Sequence, residues 1–154
     1  MKVKELMSAD VKSCSPETNL ATVARMMWDG DCGMIPVVDE QRRIIGVITD
    51  RDICIAAATR SLHPAGIQVS DAMTRDVTTC YEDADPRTAL QALKEHRIRR
   101  LPILSQENRL VGVLSMNDLV TRAGGHGTGA HGEDLLGALR AICAHATAGA
   151  GARP

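Results

Sequence analysis

The sequence predicts a mixed α/β fold built from two β-α-β-β-α units, packed by pseudo-twofold symmetry through their sheets and followed by a C-terminal helix. Residues 3–57 align with residues 69–123 at a constant offset of 66, without a gap. In each unit a stretch with helical spacing precedes two β-branched runs. A unit of about 55 residues buries too little surface to be comfortably stable alone, so the two units are expected to share a core.

The internal repeat carries this prediction, because a fixed register over so long a stretch is hard to assign to chance. Conservative pairs such as Ile35/Leu101 and Ile44/Leu110 support the same register. The alignment includes twelve identical pairs: Val3/Val69, Met7/Met73, Asp10/Asp76, Val11/Val77, Cys14/Cys80, Thr22/Thr88, Pro36/Pro102, Arg43/Arg109, Gly46/Gly112, Val47/Val113, Asp52/Asp118 and Ala57/Ala123.

Each element of the unit has its own signal. Leu20, Val23, Ala24 and Met27 share one helical face, and their counterparts are Pro86, Ala89, Leu90 and Leu93. The runs MIPVVD and RIIGVIT, then LPIL and RLVGVLS, are separated by polar turns and predict hairpins. A second helix is expected to open at Thr49 or Ser115. A short strand is expected before the first helix, at residues 11–13 and 77–79.

The predicted boundaries follow from composition. The first repeat covers residues 1–60, and a linker over residues 61–68 contains Pro64 and Gly66. The second repeat covers residues 69–123. A glycine-rich linker is expected over 124–132, a helix over 133–146 and a frayed tail over 147–154. His126 and His131 in the glycine-rich stretch are interpreted as solvated residues, with metal binding as the alternative.

Composition narrows the function classes. The net charge of -1 provides no field to attract nucleic acid or an anionic membrane, and a chain with one Trp, one Tyr and no Phe has few stacking platforms. No apolar run reaches the length of a membrane span and the start lacks a secretory h-region, so a cytoplasmic protein is expected. The five cysteines lack the paired spacing of structural zinc sites.

The segments Gly46 to Asp52 and Gly112 to Asp118 carry the clearest chemical signal, since each lies where a strand enters a helix. A Thr or Ser followed three residues later by Asp is typical of a capping box, which has a purely structural role. The same geometry also fits a nucleoside phosphate. A helix start attracts phosphate, the hydroxyl adds a donor, and the carboxylate can accept the hydroxyls of a ribose.

With its duplicated Gly-x-x-(Thr/Ser)-x-x-Asp motifs and its Ile-Pro-Val and Leu-Pro-Ile strands, the chain resembles tandem CBS domains, also called a Bateman module. The resemblance covers about residues 1–123. It implies that adenosine ligands bind in clefts between the repeats, with the motif Asp on ribose, the Thr or Ser and basic groups on phosphate, and strand backbone around adenine. One implied cleft uses Thr49, Asp52 and Val77, and the other uses Ser115, Asp118 and Val11. Gly46, Gly112, Pro36 and Pro102 complete the two motif sets.

The two implied clefts are unequal. Members of the family often carry a basic residue before the hydrophobic-Pro strand, and the second repeat has Arg99 and Arg100 there, whereas the first has Gly33 and Met34. Arg100 is therefore expected to contact phosphate, with a solvated face as the alternative. Trp28 aligns with Lys94 and is interpreted either as an interface residue or as partly buried on its own module.

The resulting expectation is a regulatory module that needs no cofactor, binds AMP, ADP or ATP, forms a homodimer and signals to a protein partner in trans. A structural or dimerisation module with ligand-free clefts is the main alternative. A thiol-responsive protein using Cys14 and Cys80, or a metal-responsive one, ranks below both. No P-loop lysine, HExxH or GxSxG motif is present, so enzymatic activity is not expected.

Overall fold

The computed structural model describes residues 1–122 and 132–144. Within them the helices are α1 (Leu20–Asp29), α2 (Asp50–Thr59), α3 (Pro86–His96), α4 (Met116–Arg122) and α5 (Gly132–Cys143). The strands are β1 (Met34–Val38), β2 (Ile44–Thr49), β3 (Cys80–Tyr81), β4 (Arg100–Leu104) and β5 (Leu110–Ser115). Strands β1 and β2 form an antiparallel hairpin, while β3 lies parallel to β4, which pairs with β5 in a second hairpin.

The repeat extends to caps and turns as well as to regular elements. The side chains of Asn19 and Asp85 cap α1 and α3, each accepting a hydrogen bond from a backbone N–H in the first turn. Residues with a left-handed backbone conformation (positive φ) also recur at the offset of 66. Arg42 and Asn108 occupy this conformation in the two hairpin turns, and Asp31 and Arg97 occupy it after α1 and α3. The two halves therefore share their backbone conformation at these turns, although the residue types differ.

The prediction of the strand before the first helix is wrong in position. Residues 11–13 and 77–79 form no strand; the pairing lies at Cys14, which bridges Val37, and at β3. Burial explains the shift, because Cys14 and Cys80 are buried whereas Val11 and Val77 are only half-buried. The C-terminal helix starts at Gly132 and ends at Cys143, earlier than predicted. Most of the predicted glycine-rich linker and the whole predicted tail lie outside the described residues.

Two core clusters form among residues 1–122 and 132–144, and each is completed by a segment from the other repeat. Val3 and Leu6 are buried in the core of the second repeat, and Ile67 and Val69 are buried in the core of the first. The backbone N–H of Val3 donates to Ala84 O, and Lys4 pairs with Asp83 at 2.9 Å. Hydrogen bonds from Lys4 and Lys2 lower the pKa of Asp83 to about 2. Residues 1–13 and 67–79, the leading segments of the two repeats, are therefore exchanged: each packs in the core of the opposite repeat.

Two glycines make the exchange possible. Gly112 faces the leading segment of the first repeat, where a Cβ atom would lie 2.5 Å from Met7 Sδ and 2.9 Å from Ser8 O. Gly46 faces the equivalent segment of the second repeat, at 2.7 Å from Met73 Sδ and 3.0 Å from Thr74 O. The glycines thus allow a close approach between the two repeats.

Helix α5 breaks the symmetry of the surface. It packs on α3, where Leu135 and Ala138 are buried in the core of the second repeat. Leu90 is buried in that core, whereas its counterpart Ala24 on α1 is exposed. Trp28, also on α1, is 82% exposed. The face of α1 that carries Ala24 and Trp28 therefore lies open, whereas the equivalent face of α3 is covered by α5.

Substitution of Gly112 by Ala is expected to destabilise the fold by about 1–3 kcal/mol, because the new methyl group would overlap Met7 and the backbone of Ser8. Urea unfolding measures the change. Gly137→Ala is the matched control: apart from the backbone of α5 itself, no atom of the described residues lies within 4 Å of its Cβ position, and Ala favours a helix. An equal loss in both variants would contradict the close-approach role of Gly112.

Candidate functional site

Both predicted capping boxes are formed. Asp52 Oδ2 accepts hydrogen bonds from the backbone N–H and the hydroxyl of Thr49, at 2.9 and 2.7 Å, and Asp118 Oδ2 accepts the same pair from Ser115, at 2.8 and 2.6 Å. In return each hydroxyl accepts from the backbone N–H of its Asp. These motifs therefore fix the junctions of β2 with α2 and of β5 with α4.

Ser115 and Asp118 line a cavity of about 520 Å³ between the two repeats, named the Ser115 cleft. Residues of the first repeat reach it because Ser8 pairs with Val113 on β5, which carries the following residues over the end of that strand. Other contributions come from the end of α1 and the turn after it. The charged and motif residues around the cleft are Asp10, Val11, Lys12, Asp29, Asp31, Arg100, Ser115 and Asp118.

Arg100 lies at the centre of this arrangement, at the start of β4. Its side chain is half-buried, and no carboxylate within residues 1–122 and 132–144 comes close enough to form an ion pair with it. Its Nη1 approaches the open side of Gly33, 3.6 Å from the position of a Cβ atom, and Asp50 Oδ2 lies 2.7 Å from the same point. A side chain at position 33 would occupy this space, so Gly33 leaves the guanidinium accessible.

A second cavity of about 580 Å³, named the Trp28 cavity, adjoins the first. Both cavities are lined by Asp31, Cys32 and Arg100. The far wall of the Trp28 cavity consists of α1 and the first turns of α2, including Trp28 and Asp50. Arg100 therefore stands at the junction of two adjoining spaces.

The structure gathers some of the predicted site residues and separates others. Val11, Arg100, Ser115 and Asp118 share the Ser115 cleft. The remaining predicted residues do not line it: Thr49, Asp52, Val77, Gly46, Pro36, Arg99, Pro102 and Gly112.

The residues outside the cleft have other surroundings. Asp52 lines a separate hollow of about 190 Å³ with Arg60 and Asp71. Pro36 and Pro102 are buried within their hairpins, and Arg99 is exposed. The residues that the resemblance implies for the second motif, Ser115, Asp118 and Val11, thus share one cleft, and the cleft implied at Thr49, Asp52 and Val77 stays a prediction.

Sequence comparison identifies the family. Residues 3–58 and 69–125 each match the CBS domain, and together they make up more than half of the chain. The chain belongs to the CBS-domain family. The predicted fold, with two CBS repeats in tandem, is confirmed.

Several relatives have a similar length. This CBS pair is 34% identical over 119 residues to the uncharacterized protein YlbB of Bacillus subtilis (strain 168), covering 77% of this chain and 79% of that protein. It is also 34% identical over 117 residues to the CBS domain-containing protein YhcV of the same organism, with 76% and 81% covered. Inosine-5'-monophosphate dehydrogenase of Methanocaldococcus jannaschii is 31% identical over 121 residues. That match covers 79% of this chain but only 23% of the enzyme.

Solved structures share the architecture. The CBS domain pair of protein MJ0100, in complex with 5'-methylthioadenosine and S-adenosyl-L-methionine, aligns with a TM-score of 0.73 at 24% identity, covering 82% of this chain and 98% of that one. Hypoxic Response Protein I, which holds two coordinated zinc ions, aligns with a TM-score of 0.72 at 26% identity, covering 79% and 98%. In this CBS pair, no group of three or more His, Cys, Asp or Glu suited to a metal occurs among the described residues. His126 and His131 lie outside them.

Four acidic or basic residues of the cleft were not named as site residues from the sequence. Asp29 ends α1 and Asp31 lies in the turn after it, while Asp10 and Lys12 flank Val11 in the exchanged leading segment. None of the four belongs to a Gly-x-x-(Thr/Ser)-x-x-Asp motif. The one available signal is the pair Asp31 and Arg97, repeat equivalents of opposite charge, which marks a position where the halves differ.

The burial and ionisation of the cysteines bear on the alternative of a thiol-responsive protein. Cys14 and Cys80 are buried in the cores of different repeats, and all five cysteines are free. Burial raises the pKa of the Cys14 thiol to about 11 and also raises the pKa of Cys80. Both thiols are thus protonated at neutral pH, which suits buried apolar side chains better than reactive groups. Among the helices in the part of the chain described, none has the length and apolar character needed to cross a membrane.

Alkylation of the native protein at pH 8 is expected to modify the exposed Cys54 and Cys143 first, with Cys14 and Cys80 at least about tenfold slower because they are buried and protonated. Mass spectrometry of peptides follows each site. The rate at Cys14 should rise as the pH approaches 11, and in urea all five thiols should react alike. Fast modification of native Cys14 at pH 7 would contradict the structural role.

Proposed function

We propose that this CBS pair is a cytoplasmic regulatory module that binds an adenine nucleotide, AMP, ADP or ATP, in the Ser115 cleft and transmits its occupancy to a protein partner by a conformational change. The observation that carries the proposal is the convergence of an unpaired guanidinium, Arg100, with the motif residues Ser115 and Asp118 in one cavity between the repeats. Adenosine compounds are the ligands in the MJ0100 complex, which guides the choice of probes.

Arg100 is the proposed phosphate contact. A half-buried guanidinium that has no ion pair within the described part of the chain retains its capacity for charge-assisted hydrogen bonds, which are shorter and stronger than neutral ones. The planar fork of an arginine also matches the geometry of a phosphate. Gly33 supports this role because it leaves the space beside Nη1 open.

Asp118 is the proposed ribose contact. Both hydrogen bonds that it accepts from Ser115 end on Oδ2. Its other oxygen, Oδ1, takes part in neither bond and can accept from a ribose hydroxyl without loss of the cap. The structural and binding roles of the motif are therefore compatible in one carboxylate.

The walls of the cleft come from both repeats, which provides a means of signalling. Val11 and Asp10 belong to the exchanged leading segment, while Arg100 and Ser115 belong to the second hairpin. A ligand held by both walls favours the arrangement in which they face each other. The resulting shift is limited to the difference in affinity between the two arrangements.

A structural module remains the second candidate, because a specific observation favours it. Thr49 and Asp52 form the same capping box as Ser115 and Asp118 but do not line the Ser115 cleft. One of the two motifs thus has a structural role that is complete without this cleft. The ligand titration below separates the two candidates.

Saturation with the preferred nucleotide at about 100 times Kd should stabilise the protein by roughly 2.7 kcal/mol and raise Tm by about 5–10 °C. Asp118→Asn and Arg100→Ala should each weaken binding at least about tenfold, since each removes a charged contact. Asp52→Asn is the matched control, because it keeps a cap acceptor and removes the same charge outside the cleft.

Calorimetry measures the affinities of these variants, and guanine nucleotides test the base. If no adenine nucleotide moved the thermal transition, the structural module would be favoured. Equal losses in Asp118→Asn and Asp52→Asn would refute the assignment of the cleft.

Homodimer formation and the partner in trans are part of the same proposal. The open face of α1 supports them, because an exposed Trp28 beside Ala24 and Ile53 is typical of an interface. The equivalent face of α3 is occupied by α5. The face of α1 is therefore the surface proposed for association.

Trp28→Lys, which introduces the residue found at the equivalent position 94, should convert a dimer to a monomer in light scattering. As the only tryptophan, Trp28 should also show a blue-shifted emission as the wild-type concentration is raised, because its indole leaves water. Leu136→Lys, at an exposed site on α5, is the control and should leave the mass unchanged. A wild-type protein that stays monomeric at every concentration would contradict this interface.

A further inference from the structure

The Trp28 cavity, which lies beyond the proposed phosphate contact Arg100, is lined by acidic residues. Arg100 lines both cavities, so a phosphate on its guanidinium lies at their junction. A second or third phosphate that continued past Arg100 would enter the Trp28 cavity, since Arg100 lines both spaces. The charged residues that line that cavity besides Arg100 are Asp31 and Asp50.

The Ser115 cleft also carries an excess of negative charge. Four carboxylates line it, from Asp10, Asp29, Asp31 and Asp118, against two cations, Lys12 and Arg100. The difference leaves two net negative charges before any ligand enters. Lys12 is exposed, and so are Asp10, Asp29 and Asp31, so salt screens all four charges. Arg100 is the one half-buried cation that lines the cleft.

We infer that the Ser115 cleft selects adenine nucleotides with a single phosphate and discriminates against the diphosphate and triphosphate, with Asp31 and Asp50 as the specificity-determining residues. This inference rests on the proposed function. One phosphate satisfies the guanidinium of Arg100. Each further phosphate adds negative charge beside Asp31 and Asp50 and finds no second half-buried cation among the residues lining the two cavities.

Charge repulsion of this kind has a recognisable dependence on conditions. Like charges placed together across a binding site lower affinity and exclude the wrong partner. The repulsion weakens as salt shortens the Debye length, from about 30 Å at 0.01 M to about 8 Å at 0.15 M. A bound Mg²⁺ reduces the charge of ATP and should partly restore its binding.

The test is a calorimetric titration of the full chain with adenosine, AMP, ADP and ATP, in EDTA and at low ionic strength. AMP should bind most tightly, and ATP should bind at least about tenfold more weakly than AMP. The gap should narrow when NaCl or Mg²⁺ is added. ATP binding as tightly as AMP would overturn the selectivity while leaving the nucleotide site intact, whereas a lack of binding by all four compounds would overturn both proposals.

Charge-neutral variants locate the effect. Asp50→Asn should improve ATP binding several-fold and leave AMP binding nearly unchanged, because Asp50 lines the Trp28 cavity and not the Ser115 cleft. Asp31 lines both, so Asp31→Asn should improve ATP binding several-fold and AMP binding by a smaller factor. Glu40→Gln removes the same charge from an exposed hairpin turn that lines neither cavity, and it is the matched control. Equal gains in all three variants would assign the selectivity to net charge and overturn the role of Asp31 and Asp50.

Discussion

The contact on which the rest of the structure depends is the close approach of each leading segment to a glycine in the opposite repeat. Met7 and Ser8 pack over Gly112, and Met73 and Thr74 pack over Gly46. These contacts complete the two cores, because each core also buries apolar residues of the exchanged segment. The Ser115 cleft exists for the same reason: the pairing of Ser8 with β5 carries the next residues over the end of that strand.

The repeated elements could be predicted from the sequence, but their exchange could not. A fixed offset with helical and alternating patterns locates the four principal helices and both hairpins, since these patterns depend on local spacing. Identical pairs such as Met7 and Met73 show that the leading segments are equivalent. They do not show which core each segment enters, because an exchanged and an unexchanged arrangement produce the same pattern. The short pairing at Cys14 was misplaced for a related reason: its partner, Val37, is distant in sequence.

The candidate site shows the same division. Ser115, Asp118 and Arg100 could be named because a motif and a departure from the repeat mark them. Asp29 and Asp31 could not, since their place in the cleft depends on how α1 ends relative to the other repeat. The inequality of the two clefts was visible in Gly33 and Arg99, a pair in which one repeat has no side chain. The structure shows the consequence of this difference, which is that the missing side chain of Gly33 leaves open space beside Arg100 and Asp50.

The features that distinguish the two repeats lie close together at the end of α1 in the first repeat. Helix α5 covers α3 and leaves the face of α1 open, with Trp28 at its end. Asp29 follows Trp28 directly and lines the Ser115 cleft, and Asp31, two residues further, lines both cavities. A nucleotide at Arg100 would therefore contact the same turn that carries the exposed indole. Residues 28–31 thus join the proposed nucleotide cleft to the open face of α1. A change at the cleft would need to pass through only these residues to reach a partner bound to that face.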